Sequence, residues 1–335
     1  MKLSSHFSEQ GIGYQRSLQQ IVGFCQIILE QFEAGILSYF KALELIEKSP
    51  EDQDTKDINK GDIVQNIATG YEFLNNPKEA IVWYTKSLDI KQKREDSPSK
   101  NYAVAKTLIG IGNCYQELGE FQKALDEYYG KAREKLQEYY PFQETRKLKS
   151  WLFHNEGLCH YGLGHYKKAL DAYENALAIH KQINAPGKDM AKTINNIANV
   201  LSKQGRHKEA IEKYMESLKN QKETSGQDAK NLGIASALHN IGNEYLHLKH
   251  YQGADKWLRE ALSMKQIVYH GKNHPNTSFT LNSIGLNYRH QGDLEKAKDY
   301  FIQAYDMILT CEGNDKWKEI IKRNLDEVEE KLQDK

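Results

Sequence analysis

The side chains in this 335-residue chain that return at a spacing suited to chemistry are amides, ahead of any acid or base. They dominate three sets, the last of which also carries two histidines: Asn66, Asn155, Asn196 and Asn240; Asn113, Asn199 and Asn243; and Gln65, His154, Asn195, His239 and Asn282. A side-chain amide offers donor and acceptor together, the complement of the N–H and C=O of an extended peptide. Asparagine is a mediocre helix former, so its return on one stripe asks for a cause other than propensity. Two causes fit: the amides clamp a strand-like segment of another protein, or they bond to a neighbouring helix and hold the chain in register. Six to eight such bonds at about 1 kcal/mol each approach the roughly 8 kcal/mol of a micromolar complex before ordering costs. Specificity then needs Lys106, Lys192, Lys203 and Arg289 to pair with carboxylates, and Trp151, Tyr161, Leu158 and Leu246 to form apolar pockets.

Other chemistry finds little support. Cys159 and His160 are adjacent, and neighbours on a helix point in different directions, so they make no nucleophile pair. His247 and His250 lie three apart without a third ligand. Gly110-Ile111-Gly112 lacks the third glycine and the preceding strand of a dinucleotide site. The cysteines, Cys25, Cys114, Cys159 and Cys311, form no CxxC pair, which predicts buried thiols rather than disulfides or zinc. Neither catalysis, cofactor nor metal is expected. Basic and acidic residues balance at 46 each, without the excess of a nucleic-acid binder. No apolar run reaches the roughly 18 residues of a membrane span or forms a leader, so a cytosolic chain is expected.

The elements that must carry the stripe come from a repeat. A small residue followed four positions later by an aromatic or leucine recurs as Ala80/Tyr84, Ala124/Tyr128, Ala169/Tyr173, Ala210/Tyr214, Ala254/Leu258 and Ala297/Phe301. A worn copy at Gly35/Tyr39 precedes them. Twelve residues before each alanine stands a second small residue, Ala68, Gly112, Gly157, Ala198, Gly242 or Gly285. Glycine costs a helix about 0.5–1 kcal/mol relative to alanine, so its return at one register implies a tight helix crossing. Gly119, Gly164, Gly205 and Gly292 sit where a left-handed residue would end the first helix, with Pro77 expected to do similar work in the first clear copy. Each unit reads as helix, turn, helix. Lys91–Asn101, Gln182–Lys188 and Glu223–Asn231 read as connectors. The second unit shifts register near Gly130 and Ala132, which predicts a local bend.

Across residues 15–310 this pattern resembles the tetratricopeptide repeat. The long period and the run Gly271, His274, Pro275, Leu281, Asn282, Gly285, Tyr288, Gln291, Gly292 and Ala297 resemble the kinesin light chain sub-type. The resemblance implies an all-α, right-handed solenoid of about seven helix-turn-helix repeats, with first helices lining a concave face that accepts short aromatic and acidic peptides. Residues 1–60, which hold no sustained heptad seam for recruiting a motor chain, are expected to be a degenerate repeat and lead-in. Residues 61–310 are expected to form the array and 311–335 a capping helix.

The expected function is a non-enzymatic scaffold or adaptor that binds a partner's linear peptide, and neither nucleic acid nor membrane. Its groove would be Asn66, Asn113, His154, Asn155, Lys192, Asn195, Asn196, Asn199, His239, Asn240, Asn243, Asn282 and Arg289. Alternatives are a receptor switched by a peptide signal and a docking subunit of a transport or cytoskeletal assembly. A carboxylate clamp finds only fragments in Lys192, Asn196 and Lys203.

Overall fold

A computed structural model describes residues 2–137, 143–226 and 230–333. Every regular element among them is helical. In chain order they are α1 (Lys2–Ile28), α2 (Phe32–Glu47), α3 (Gln53–Phe73), α4 (Pro77–Gln92), α5 (Pro98–Glu117), α6 (Phe121–Lys123), a π turn (Ala124–Tyr129), α7 (Gly130–Gln137) and α8 (Gln143–Gly162). There follow α9 (Tyr166–Gln182), α10 (Gly187–Lys203), α11 (His207–Ser225), α12 (Leu232–His247), α13 (Tyr251–Val268), α14 (Pro275–Gln291), α15 (Leu294–Leu309) and α16 (Asp315–Gln333). The chain is an α-solenoid of stacked helix pairs. It divides into two compact units, Met1–Ile179 and His180–Lys335.

Steric demand explains the small residues. Ala68, Ala80, Ala124, Ala169, Ala198, Ala210, Ala254 and Ala297 are fully buried. A Cβ added at Gly157 would lie 2.6 Å from the Tyr173 ring, and one at Gly285 2.6 Å from Phe301. The aromatic of each second helix therefore fills the space its first helix leaves empty. Gly119, Gly164, Gly205 and Gly292 all take left-handed φ, between 73° and 83°. In the first clear copy Asn75 does this at φ 55°, and Pro77 instead opens α4, where a missing N–H costs nothing. Lys249 fills the same role at φ 59°.

The register shift has a local cause. The buried aromatic of the second copy is Tyr129 rather than Tyr128, and the π turn inserts the extra residue. Beyond it Ala132 and Leu136 are again buried. Of the expected connectors, Glu223–Ser225 still belongs to α11, and residues 227–229 lie outside the described residues.

Candidate functional site

In the first unit the first helices line a groove of about 810 Å³. Asn66 and Thr69 of α3, Lys106 and Asn113 of α5, and Lys147 and Trp151 of α8 face it together. Phe32 and Phe73 stack at 5.3 Å on its wall, and the Lys147 ammonium lies 5.7 Å from the Trp151 ring. Glu72 also lines it and takes a hydrogen bond from the Tyr84 hydroxyl. Burial raises the Glu72 carboxyl to about 7, against the smaller opposing pull of that hydroxyl.

Part of the amide stripe is occupied within the fold. The Tyr129 hydroxyl donates to Asn113 Oδ1 at 2.8 Å, and Tyr214 donates to Asn199 Oδ1 at 2.6 Å. The corresponding position near Tyr84 is Thr69, 3.0 Å away. A buried phenol needs a partner, and in these three copies the residue after the small position supplies it. Where the second helix carries Leu258 instead, Asn243 lies 3.0 Å from His239 Nε2. Further polar contacts join residues about one repeat apart. In the first unit Thr107 donates to Gln65 at 2.9 Å and Asn155 to Asn113 at 2.7 Å. In the second, Ser202 donates to Glu244 at 2.6 Å and Asn324 to Asn282 at 2.9 Å. His154 is buried with its ring against Tyr173.

The second unit holds a smaller cavity of about 590 Å³, whose lining includes His239, Asn243, Asn282 and Arg289. Here α16 intrudes: Asn324 takes up Asn282, and Glu327 accepts from Arg289 at 2.7 Å. Trp317 packs on Phe279 with ring centroids 4.4 Å apart. Lys192 is exposed on α10, where Asn195, Asn196 and Asn199 are half-buried, as is Asn240 on α12.

Each unit also contains a buried lysine at one register of the repeat, a feature the spacing of the alanines could have revealed. Lys91 bonds to Gln65, reaches Thr107 at 3.3 Å and pairs with Asp62 at 3.1 Å. Lys265 donates to Thr280 at 2.7 Å and to the Asn276 carbonyl at 2.9 Å, and Thr280 lies 3.2 Å from His239 Nδ1. Burial lowers Lys265 to about 8. Burial, with Lys265 as a secondary cause, lowers His239 to about 3, so that ring is neutral at physiological pH.

Three further groups that could have suggested chemistry have structural partners. Glu156, where neighbouring copies carry an apolar residue, takes two bonds from Arg133. His250 Nδ1 accepts from Gly253 N–H as the cap of α13, and His247 stacks on His207 at 4.8 Å. Among the described residues no group of three or more His, Cys, Asp and Glu side chains is placed to hold a metal, and no helix is long and apolar enough to cross a membrane.

The tetratricopeptide repeat profile matches residues 151–183 and, in overlapping stretches, 189–267 and 233–309. The matched stretches, 151–183 and 189–309, are tetratricopeptide repeats. Response regulator aspartate phosphatase A of Bacillus subtilis (strain 168) is 36% identical over 66 residues, which is 20% of this chain and only 16% of that protein. The apo form of RapI shares 17% identity over 89% of this chain and 77% of its own, with a TM-score of 0.68. A Rap protein complexed with competence and sporulation factor shares 16% over 92% and 76%, with a TM-score of 0.58. A Podosopora anserina putative kinesin light chain with nearly identical TPR-like repeats shares 14% over 62% and 95%, with a TM-score of 0.51. At these identities the likenesses of structure show the fold.

Proposed function

We propose that this chain is a non-enzymatic interaction scaffold that takes an extended peptide segment of a partner protein in the groove of its first unit. The observation that carries this reading is the composition of that groove: the Asn66 amide, the exposed Trp151 and Phe73 rings and the Lys106 and Lys147 cations share one cleft. Its volume falls within the roughly 300–1,000 Å³ of ordinary ligand sites. Aromatic surface supplies the binding energy, an amide pairs with peptide backbone, and the lysines select a carboxylate near an aromatic side chain. The Asn113 acceptor is already engaged by Tyr129 and Asn155, which makes Asn66 the amide to test.

A second reading, a regulator switched by a signalling ligand, is favoured by the Rap protein solved with competence and sporulation factor, whose likeness spans 92% of this chain. In either reading the partner is a protein or peptide, and the stripe on α10 and α12 at Lys192, Asn195, Asn196, Asn199 and Asn240 is a further place to contact it. The test is titration of peptides bearing an aromatic beside acidic residues. Replacing Asn66 and Trp151 with Ala and Lys106 with Glu should weaken binding at least about tenfold while moving the melting temperature little, because these side chains are exposed or half-buried. Unchanged affinity removes the groove from the account.

A further inference from the structure

The first and last helices described, α1 and α16, expose different surfaces. Repeat arrays need a polar outer face where stacking stops. On α16 the exposed residues include Asp315, Lys316, Glu319, Lys322, Arg323, Asp326, Glu327, Glu330 and Lys331, a charged surface that meets this need. On α1 and the residue that follows it the exposed set includes Tyr14, Leu18, Ile21, Phe24, Cys25, Ile28 and Leu29. Tyr14 is 72% exposed, Ile21 60% and Ile28 62%. The other face of α1 is already used: Gly23 is buried, and a Cβ there would meet the Gly35 carbonyl and the Tyr39 ring at 3.1 Å. The apolar stripe is thus a second face, left over after α2 is packed.

Tyr14, Leu18, Ile21, Cys25 and Ile28 follow one another at intervals of four, three, four and three, a line of two heptads along which a second helix can pack. No residue of the stripe is charged, and Arg16, the one charged residue from Tyr14 to Leu29, is bound to Glu51. A foreign charged surface gains nothing here, whereas an identical helix meets no repulsion. At roughly 150–250 Å² for a fully exposed large side chain, Tyr14, Leu18, Ile21, Phe24, Ile28 and Leu29 together expose about 550–900 Å² per copy. That range reaches beyond the roughly 300–600 Å² of the largest patch on most monomers to the roughly 800 Å² per partner of a stable interface.

We propose that this face of α1 pairs with the same face of a second copy of the chain, the two helices running antiparallel about a two-fold axis. In such a seam Leu18 meets Ile28 of the other copy and Ile21 meets its Cys25. The pairing shares Phe24 and Ile28 with the lining of the groove, whereas Tyr14, Leu18 and Ile21 lie outside it, so substitutions at Leu18 and Ile21 test the pairing without altering the groove.

The test measures mass in solution by light scattering on the full chain. The unaltered chain should run at twice 38.6 kDa at about 10–100 µM, and Leu18→Glu with Ile21→Glu at 38.6 kDa. Both substituted side chains are solvent-exposed, so the melting temperature should hold. Mild oxidation of Ile21→Cys should give a covalent dimer that disappears in the Cys25→Ser background. A monomeric unaltered chain overturns the proposal, and one that also binds an apolar dye at this face assigns the face to a foreign partner. A dimer that survives the two glutamates, or an Ile21→Cys crosslink indifferent to Cys25, overturns it as well.

Discussion

The two units are built on one lattice of small residues and turns, yet they treat their polar interiors differently. In the first, Lys91 has an acid, Asp62, and the neighbouring groove stands open. In the second, the equivalent Lys265 meets a hydroxyl and a carbonyl, and Ser236 stands where the register calls for Asp62. The first unit carries a carboxyl that resists ionising, Glu72, and the second an imidazole that resists protonation, His239. A shared backbone therefore fixes where a polar group stands, while its immediate partners decide which charge state folding favours.

Breaking the second unit's closure has the largest expected effect. Val328 is fully buried on α16, and Val328→Asp should cost about 3–5 kcal/mol, read as a lowered melting temperature, by burying an unpaired carboxylate and releasing Asn282 and Arg289. Peptide binding at the first unit's groove should persist below that temperature.

The next effect is smaller and has opposite signs in the two units. Glu72 has a folded value of about 7 against 4.5, so native chain holds its proton where unfolded chain does not, and stability is lost as pH rises from about 4.5 through 7. His239 has a folded value of about 3 against 6.5, so unfolded chain takes the proton first, and stability is lost as pH falls below about 6.5. Glu72→Gln should gain about 1–2 kcal/mol on the unaltered chain at pH 8 and little at pH 5, and His239→Gln should show the reverse. Melting curves at both values check it, and equal shifts at both would sink it. The smallest effect sharpens the comparison: Ser236→Asp gives Lys265 the acid Lys91 has, and should add about 0.5–1 kcal/mol and raise the lysine toward its ordinary value, read by titration against denaturation.

The fold was legible because its cause is steric. A glycine such as Gly285 and an aromatic such as Phe301 announce a close crossing wherever they recur together. The candidate site was less so, because an asparagine's identity does not say which neighbour takes its oxygen. Asn113 and Asn199 share their units with Tyr129 and Tyr214, a pairing visible in the sequence that points to internal use. The union of Asn282 with Asn324 was hidden, since it depends on how the last helix docks. The leftover face of α1 was hidden too, because spacing marks an apolar line without saying whether a helix already covers it.

The π turn at Ala124–Tyr129 bears on how such a chain changes over time. A single added residue is taken up within six, and the next buried positions, Ala132 and Leu136, fall back into phase. An insertion in mid-helix, ordinarily ruinous to every contact downstream, becomes here a local swelling. Repeat length can drift by one without the copies that follow losing their place.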